Sequence, residues 1–173
     1  MKLSIYLFTL LLMGTLFVSC DKSDINYEND FDKSYKAWEN FKASSQNSYR
    51  YMVVFGSWTG YGTETIITVK NGQVTGRSFV GKGFVNGQNT TPTVVEEWTE
   101  DESSINTHEK GAAAITLDEI YNKAKTDYLL KRDDARTYFE TNNNGMISSC
   151  GYTPENCADD CFNGVTIQYI EKL

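Results

Sequence analysis

The chain has 173 residues, with 16 Lys and Arg against 23 Asp and Glu and a formal net charge of −7. An acidic balance without any Lys/Arg cluster excludes a nucleic-acid binder, because phosphate would be repelled, and weighs equally against electrostatic adhesion to anionic lipid. Two prolines and 13% aromatic residues exclude wholesale disorder.

The first twenty residues carry an address. Lys2 supplies a positive start, Leu3 to Val18 is apolar apart from Ser4, Thr9, Gly14 and Thr15, and the run closes on Ser19-Cys20 with Asp21 behind. This resembles a bacterial lipoprotein signal peptide over residues 1–19, in which a small residue precedes a cysteine that is lipidated and becomes the first residue of the mature chain. The rival readings are a plain cleaved signal and a retained transmembrane anchor. Sixteen residues, 3 to 18, fall short of the roughly 20 that a helix needs to span the hydrocarbon. Several acyl chains on Cys20 would hold the protein to a membrane durably. Cleavage there leaves 154 residues, enough to bury a core, and removal of Lys2 takes the formal charge to −8.

Residues 20–28 are polar and read as a tether, leaving 29–173 as one domain. An acidic stretch just after the lipid cysteine resembles the surface-export signals of Bacteroidota lipoproteins, which implies an outer-membrane location facing the surface or the periplasm. In an enterobacterial setting, Asp21 would instead imply retention at the inner membrane.

Asn29 is placed to cap a helix whose Phe31, Tyr35, Trp38 and Phe41 fall on one stripe. Four strands follow in the pattern: Tyr49 to Phe55, Thr63 to Lys70, Gln73 to Val80 and Thr93 to Thr99. Asn71-Gly72 predicts a two-residue hairpin turn between the second and third, since both central residues need positive φ. Along the second strand, Thr65, Ile67 and Val69 share one face.

Residues Glu100 to Lys110 read as a polar loop holding a solvated His108. Thr-Leu-Asp-Glu from Thr116 to Glu119 predicts a capping box opening a second amphipathic helix, which carries Leu117, Ile120, Tyr121, Ala124 and Tyr128 and runs to about Leu130. Three strands complete the chain, Ala135 to Glu140, Met146 to Tyr152 and Val165 to Ile170, with a turn at Asn142-Asn143-Asn144-Gly145. The fold class is therefore α+β: an antiparallel sheet of six to seven strands with two helices packed on one face, in the order α-ββββ-α-βββ.

Trp38 on its helix, Tyr49-Arg50-Tyr51, Val69-Lys70-Asn71-Gly72-Gln73-Val74 and Thr116 to Tyr121 together resemble a domain-of-unknown-function family of secreted bacterial lipoproteins. The resemblance runs from about residue 30 to the end. It implies the topology and no activity.

Cys150, Cys157 and Cys161 remain once Cys20 is assigned to lipid, and export places them where disulfides form. Cys150–Cys161 across the base of a hairpin, worth about 3 kcal/mol on the chain-entropy model, is weighed slightly above Cys157–Cys161. A zinc site lacks a fourth nearby ligand, since the single histidine lies far away in sequence, and a catalytic thiol lacks a base. Glu155, Asp159, Asp160 and Asn163 are weak calcium candidates, at odds with EF-hand spacing and common in turns. The paired carboxylates Glu96-Glu97, Asp118-Glu119 and Asp133-Asp134 have no glycosidase context. No cofactor is expected.

Phe55-Gly56-Ser57-Trp58-Thr59-Gly60-Tyr61-Gly62, with a second glycine loop at Gly81-Lys82-Gly83-Phe84, supplies the ligand-binding candidates Trp58, Tyr61 and Phe84. Flat aromatics with a polar tip suit sugar or peptide contact. The expectation is a membrane-anchored envelope lipoprotein with a noncatalytic binding domain for a glycan, peptide or partner protein. The alternatives are an inhibitor or immunity-type protein and, behind it, a carboxylate hydrolase.

Overall fold

Phe31, Ser34, Trp38 and Phe41 recur at intervals of three and four, and that period winds the first helix, α1 (Glu28–Ser44), around a seam of buried side chains. The computed structural model describes residues 24–84 and 91–173. The signal peptide and Cys20 lie outside the described residues. The seam passes through Ser34 rather than Tyr35, because the Ser34 hydroxyl lies 2.8 Å from the Tyr121 hydroxyl, while Tyr35 stays 40% exposed with its ring against Tyr121. The helix begins one residue before Asn29: Tyr27 occupies the cap position in the left-handed region, φ 58°, without a side-chain cap. Glu28 and Asp30 in the first turn offset the positive helix end instead.

Residues 24–26, expected in the tether, belong to the fold. The Asn26 amide donates to the Leu129 carbonyl at 2.7 Å, the Lys131 amide donates to the Asp24 carbonyl at 2.9 Å, and Ile25 is buried.

Strands β1 (Tyr49–Gly56), β2 (Gly62–Lys70), β3 (Gln73–Gly83) and β4 (Thr93–Asp101) are followed by α2 (Leu117–Lys123), then β5 (Ala135–Glu140), β6 (Ser149–Pro154) and β7 (Asn163–Lys172). The seven form one antiparallel sheet in the order β4-β3-β2-β1-β7-β6-β5. Asn71 and Gly72 turn β2 into β3 with φ of 51° and 79°, the two positive values that a two-residue turn of this hand requires. The Thr116–Glu119 capping box opens α2. The helix ends sooner than its apolar pattern suggests, widening into a π-helical turn, Ala124–Tyr128, closed by the Leu129 amide on the Ala124 carbonyl at 2.9 Å. Met146 and Ile147, expected in a strand, are core residues of the connection before β6.

Both helices meet the tyrosines of β1. Trp38 lies edge-on to Tyr49 at 5.1 Å, its indole donates to Asp118 at 2.9 Å, and Lys42 donates to the other oxygen of the same carboxylate at 2.6 Å. The Tyr49 hydroxyl accepts from the Leu117 amide at 3.0 Å, and the Tyr51 hydroxyl donates to the Ile115 carbonyl. Burial pushes both tyrosines above the usual phenol range. Ile67, Val69, Ile120, Tyr121 and Ile167 close this end of the core.

Candidate functional site

β7 is shared between two neighbours in succession, pairing with β1 along residues 167–172 and with β6 along residues 163–166, so the sheet forks where it changes partner. β1 and β7 hold together from Tyr49↔Lys172 to Val53↔Ile167, where the register shifts, and no pairing follows. Beyond that point β1 continues with β2 as far as Gly56↔Gly62, whereas β7 continues with β6 through Thr166↔Ser149 and Gly164↔Gly151. A cleft of about 780 Å³ occupies the fork. Its lining takes consecutive residues from each strand, Val53 with Val54 and Val165 with Thr166.

Ladder alternation fixes which main-chain groups face this opening. The Ser57 amide donates to the Tyr61 carbonyl at 2.8 Å, so the hydrogen-bonded positions of β1 toward β2 are Phe55 and Val53, and those turned the other way are Val54 and Gly56. The Ile167 amide donates to the Ser148 carbonyl at 2.8 Å, so Val165 bonds toward β6, while Gly164 and Thr166 are turned toward β1. Val53↔Ile167 is therefore a pair without direct hydrogen bonds, closed by the Val54 amide on the Thr166 carbonyl, and the strands part beyond it, at Gly56 and Gly164.

The mouth of the fork carries a latch. The Ser57 hydroxyl donates to the Asp160 carboxylate at 2.6 Å, joining the β1–β2 loop to the segment before β7. Asp160 sits in the left-handed region, φ 48°, within the loop closed by the Cys157–Cys161 disulfide. That bridge replaces the expected Cys150–Cys161 pairing. Cys150 faces the core between Phe139 and Val165, out of reach of the exposed loop, and burial pushes its thiol up to about 12. The shorter loop contributes about 2 kcal/mol on the chain-entropy model. Phe162, next along, lays its ring over the paired glycines of β6 and β7, where a Cβ on Gly151 or Gly164 would meet it at 2.6 and 2.8 Å.

The opposite wall, Lys110-Gly111-Ala112, hangs from a buried ion pair. Arg77 on β3 donates to both oxygens of Glu100 on β4 at 2.9 and 2.8 Å, and its remaining donors reach the His108 and Ala112 carbonyls at 2.7 and 3.1 Å. Glu100 in turn accepts from the Asn106 and His108 amides at 3.0 and 2.8 Å. Arg77 first, then these amides, hold the carboxyl far below the usual range. The polar stretch expected to start at Glu100 therefore starts after β4, and Glu100 is 1% exposed. His108 is an exposed loop residue, as expected, and its ring also stacks on Trp98 at 4.3 Å with Nδ1 3.1 Å from Glu100. Composition gave no sign of this, because an Arg and a Glu 23 residues apart look like surface charges until the register aligns them.

The three aromatic candidates gather at the forked end. Tyr61 lines the cleft with its hydroxyl over Gly81, and Phe84 lies across Gly60. Trp58 is 74% exposed. The cleft adds Phe55, Phe79 and Phe162, which spacing did not single out. Phe55 had a signal in the sequence: it follows Tyr49, Tyr51 and Val53 on one face of β1, beyond the reach of either helix.

Several of the other charged candidates have partners. Lys110 pairs with Glu96 at 2.5 Å, Asp118 binds Trp38 and Lys42, and Glu119 caps α2. Asp160, named for calcium, is taken by Ser57, and the Asn163 amide donates to the Cys161 carbonyl. Among the described residues no three His, Cys, Asp or Glu side chains gather as a metal site, and no helix is long and apolar enough to cross a membrane. No family model matches the chain, and no curated protein or solved structure matches it.

Proposed function

We propose that the chain is an envelope lipoprotein, anchored to a membrane through Cys20, whose folded part is a noncatalytic binding domain. The observation that carries this reading is the cleft in the fork, with its aromatic lining and charged residues already partnered. Its volume of about 780 Å³ lies in the range of small-ligand sites, and a mostly apolar concavity with a few polar groups is what binding sites share. A glycan, a peptide or a segment of a partner protein fits that description.

The test uses the full chain in detergent against immobilised neutral oligosaccharides and random peptides. Tyr61→Ala and Phe55→Ala lower binding of whatever is retained at least tenfold, while the unfolding temperature stays within a few degrees of the parent. Lys33→Ala, on the exposed face of α1 away from the cleft, leaves binding unchanged. Retention that ignores both cleft substitutions would sink the reading.

A further inference from the structure

We propose that the binding site runs out of the cleft, past Phe162, into a trough on the outer face of β5, β6 and β7, and that cleft and trough together hold a neutral linear oligosaccharide. The inference rests on the reading of the cleft as a binding site and names what the site takes. Three observations carry it.

The first is a row of the sheet that lacks side chains. Tyr138, Gly151 and Gly164 stand opposite one another across β5, β6 and β7. Cross-strand partners share a face, and because the neighbouring Cys150 and Val165 point into the core, this row points away from it. Two glycines in a row of three leave a depression across the strands, which are spaced about 5 Å apart. The Phe162 ring lies in that depression, 6.3 Å from the Tyr138 ring, and both rings are exposed.

The second is continuity. A concavity of about 250 Å³ on this face is bordered by Tyr138, Thr153, Phe162 and Thr166, and Phe162 and Thr166 border the cleft as well. One ring is thus a wall of both spaces, and a ligand too long for the cleft leaves it across Phe162.

The third is the chemistry of the rim. Glu140, Ser149 and Thr166 form the adjacent row on the same face. The hydroxyls of Ser149, Thr153 and Thr166 have no hydrogen-bond partner among the described residues, and the Glu140 carboxylate accepts only from the Asn142 side-chain amide, at 3.3 Å. Hydroxyls donate and accept, whereas a carboxylate accepts alone. The rim therefore matches a ligand rich in hydroxyls and free of negative charge, while the aromatic rings cover its apolar faces. A net charge of −7 turns away anionic chains. An extended peptide draws on unpaired main chain, and here the Val54 amide closes the last β1–β7 pair and Phe162 covers Gly164.

The experiment measures, by calorimetry on the full chain in detergent, the binding of neutral linear gluco-, xylo- and manno-oligosaccharides from disaccharide to hexasaccharide, with a random peptide library run beside them. Affinity for at least one series is expected to rise at least tenfold with length. Tyr138→Ala removes that gain and leaves the disaccharide unchanged, Tyr138→Phe retains it, and Phe162→Ala weakens every length. Tyr138 is exposed on an edge strand, so the unfolding temperature of its variants holds within a few degrees. Sugars that bind with an affinity indifferent to length and to Tyr138→Ala confine the ligand to the cleft and overturn the trough. Peptides retained at the cleft where no sugar is retained overturn the oligosaccharide and keep the cleft, and binding of neither overturns both.

Discussion

The two ends of β1 differ in what covers them, although the same alternation runs through both. At one end Tyr49 and Tyr51 are fully buried, roofed by Trp38, Leu117 and Tyr121, and their hydroxyls are spoken for by the main chain of the approach to α2. At the other end Phe55, in the same phase of the strand, is 50% exposed and borders an opening. A strand pattern therefore specifies a face, while the helices decide how much of that face becomes core. What they leave uncovered is also where β1 and β7 part, so exposed apolar side chains and unpaired main chain coincide in one place.

The widest gap between the ends lies in stability. Trp38→Ala removes a buried ring and one of the two donors to the Asp118 carboxylate, at a cost of about 4 kcal/mol. Chemical denaturation measures it, and a loss below about 1 kcal/mol would place Trp38 outside the core. Glu100→Gln takes the charge from the Arg77 partnership and costs about 3 kcal/mol. Its pH dependence sharpens the assignment. The Glu100 carboxyl titrates near 4.5 when unfolded and far below that when folded, so its contribution is complete above about pH 5 and is lost as the pH falls through 4 toward the folded value. The parent's unfolding midpoint drops over that window, and Glu100→Gln flattens the drop. Equal slopes in the two proteins would remove Glu100 from its role. Trp58→Ala, at the exposed end, changes stability by less than about 0.5 kcal/mol. A drop of several degrees in unfolding temperature would mean that Trp58 folds back onto the sheet.

Local chemistry explains which of these features were legible in the sequence. Asn71-Gly72 demands a turn, Thr116 and Glu119 complete a capping box from within four residues, and the Thr65, Ile67, Val69 alternation names a buried face; each needs only neighbours in the chain. Trp58, Tyr61 and Phe84 were legible as candidates for the same reason, since glycines on either side leave aromatics uncovered. The fork was not, because it depends on where two strands 100 residues apart stop pairing, which no local pattern encodes. The Arg77–Glu100 clasp and the burial of Cys150 likewise follow from register. Sequence proximity favoured neither cysteine pairing decisively; the strand that turns Cys150 into the core settles it as Cys157–Cys161.

The fork itself is tested most directly by residue-resolved hydrogen exchange along β1 without ligand. Val53 and Phe55, whose amides pair with β2, and Val54, whose amide closes the last β1–β7 pair, are expected to exchange at least about a hundredfold more slowly than Gly56, whose amide faces the opening, and Met52, still opposite Tyr169 on β7, stays protected. Uniform protection from Met52 to Gly56 would mean that β1 and β7 remain paired to their ends, and the cleft, with everything built on it, would be lost.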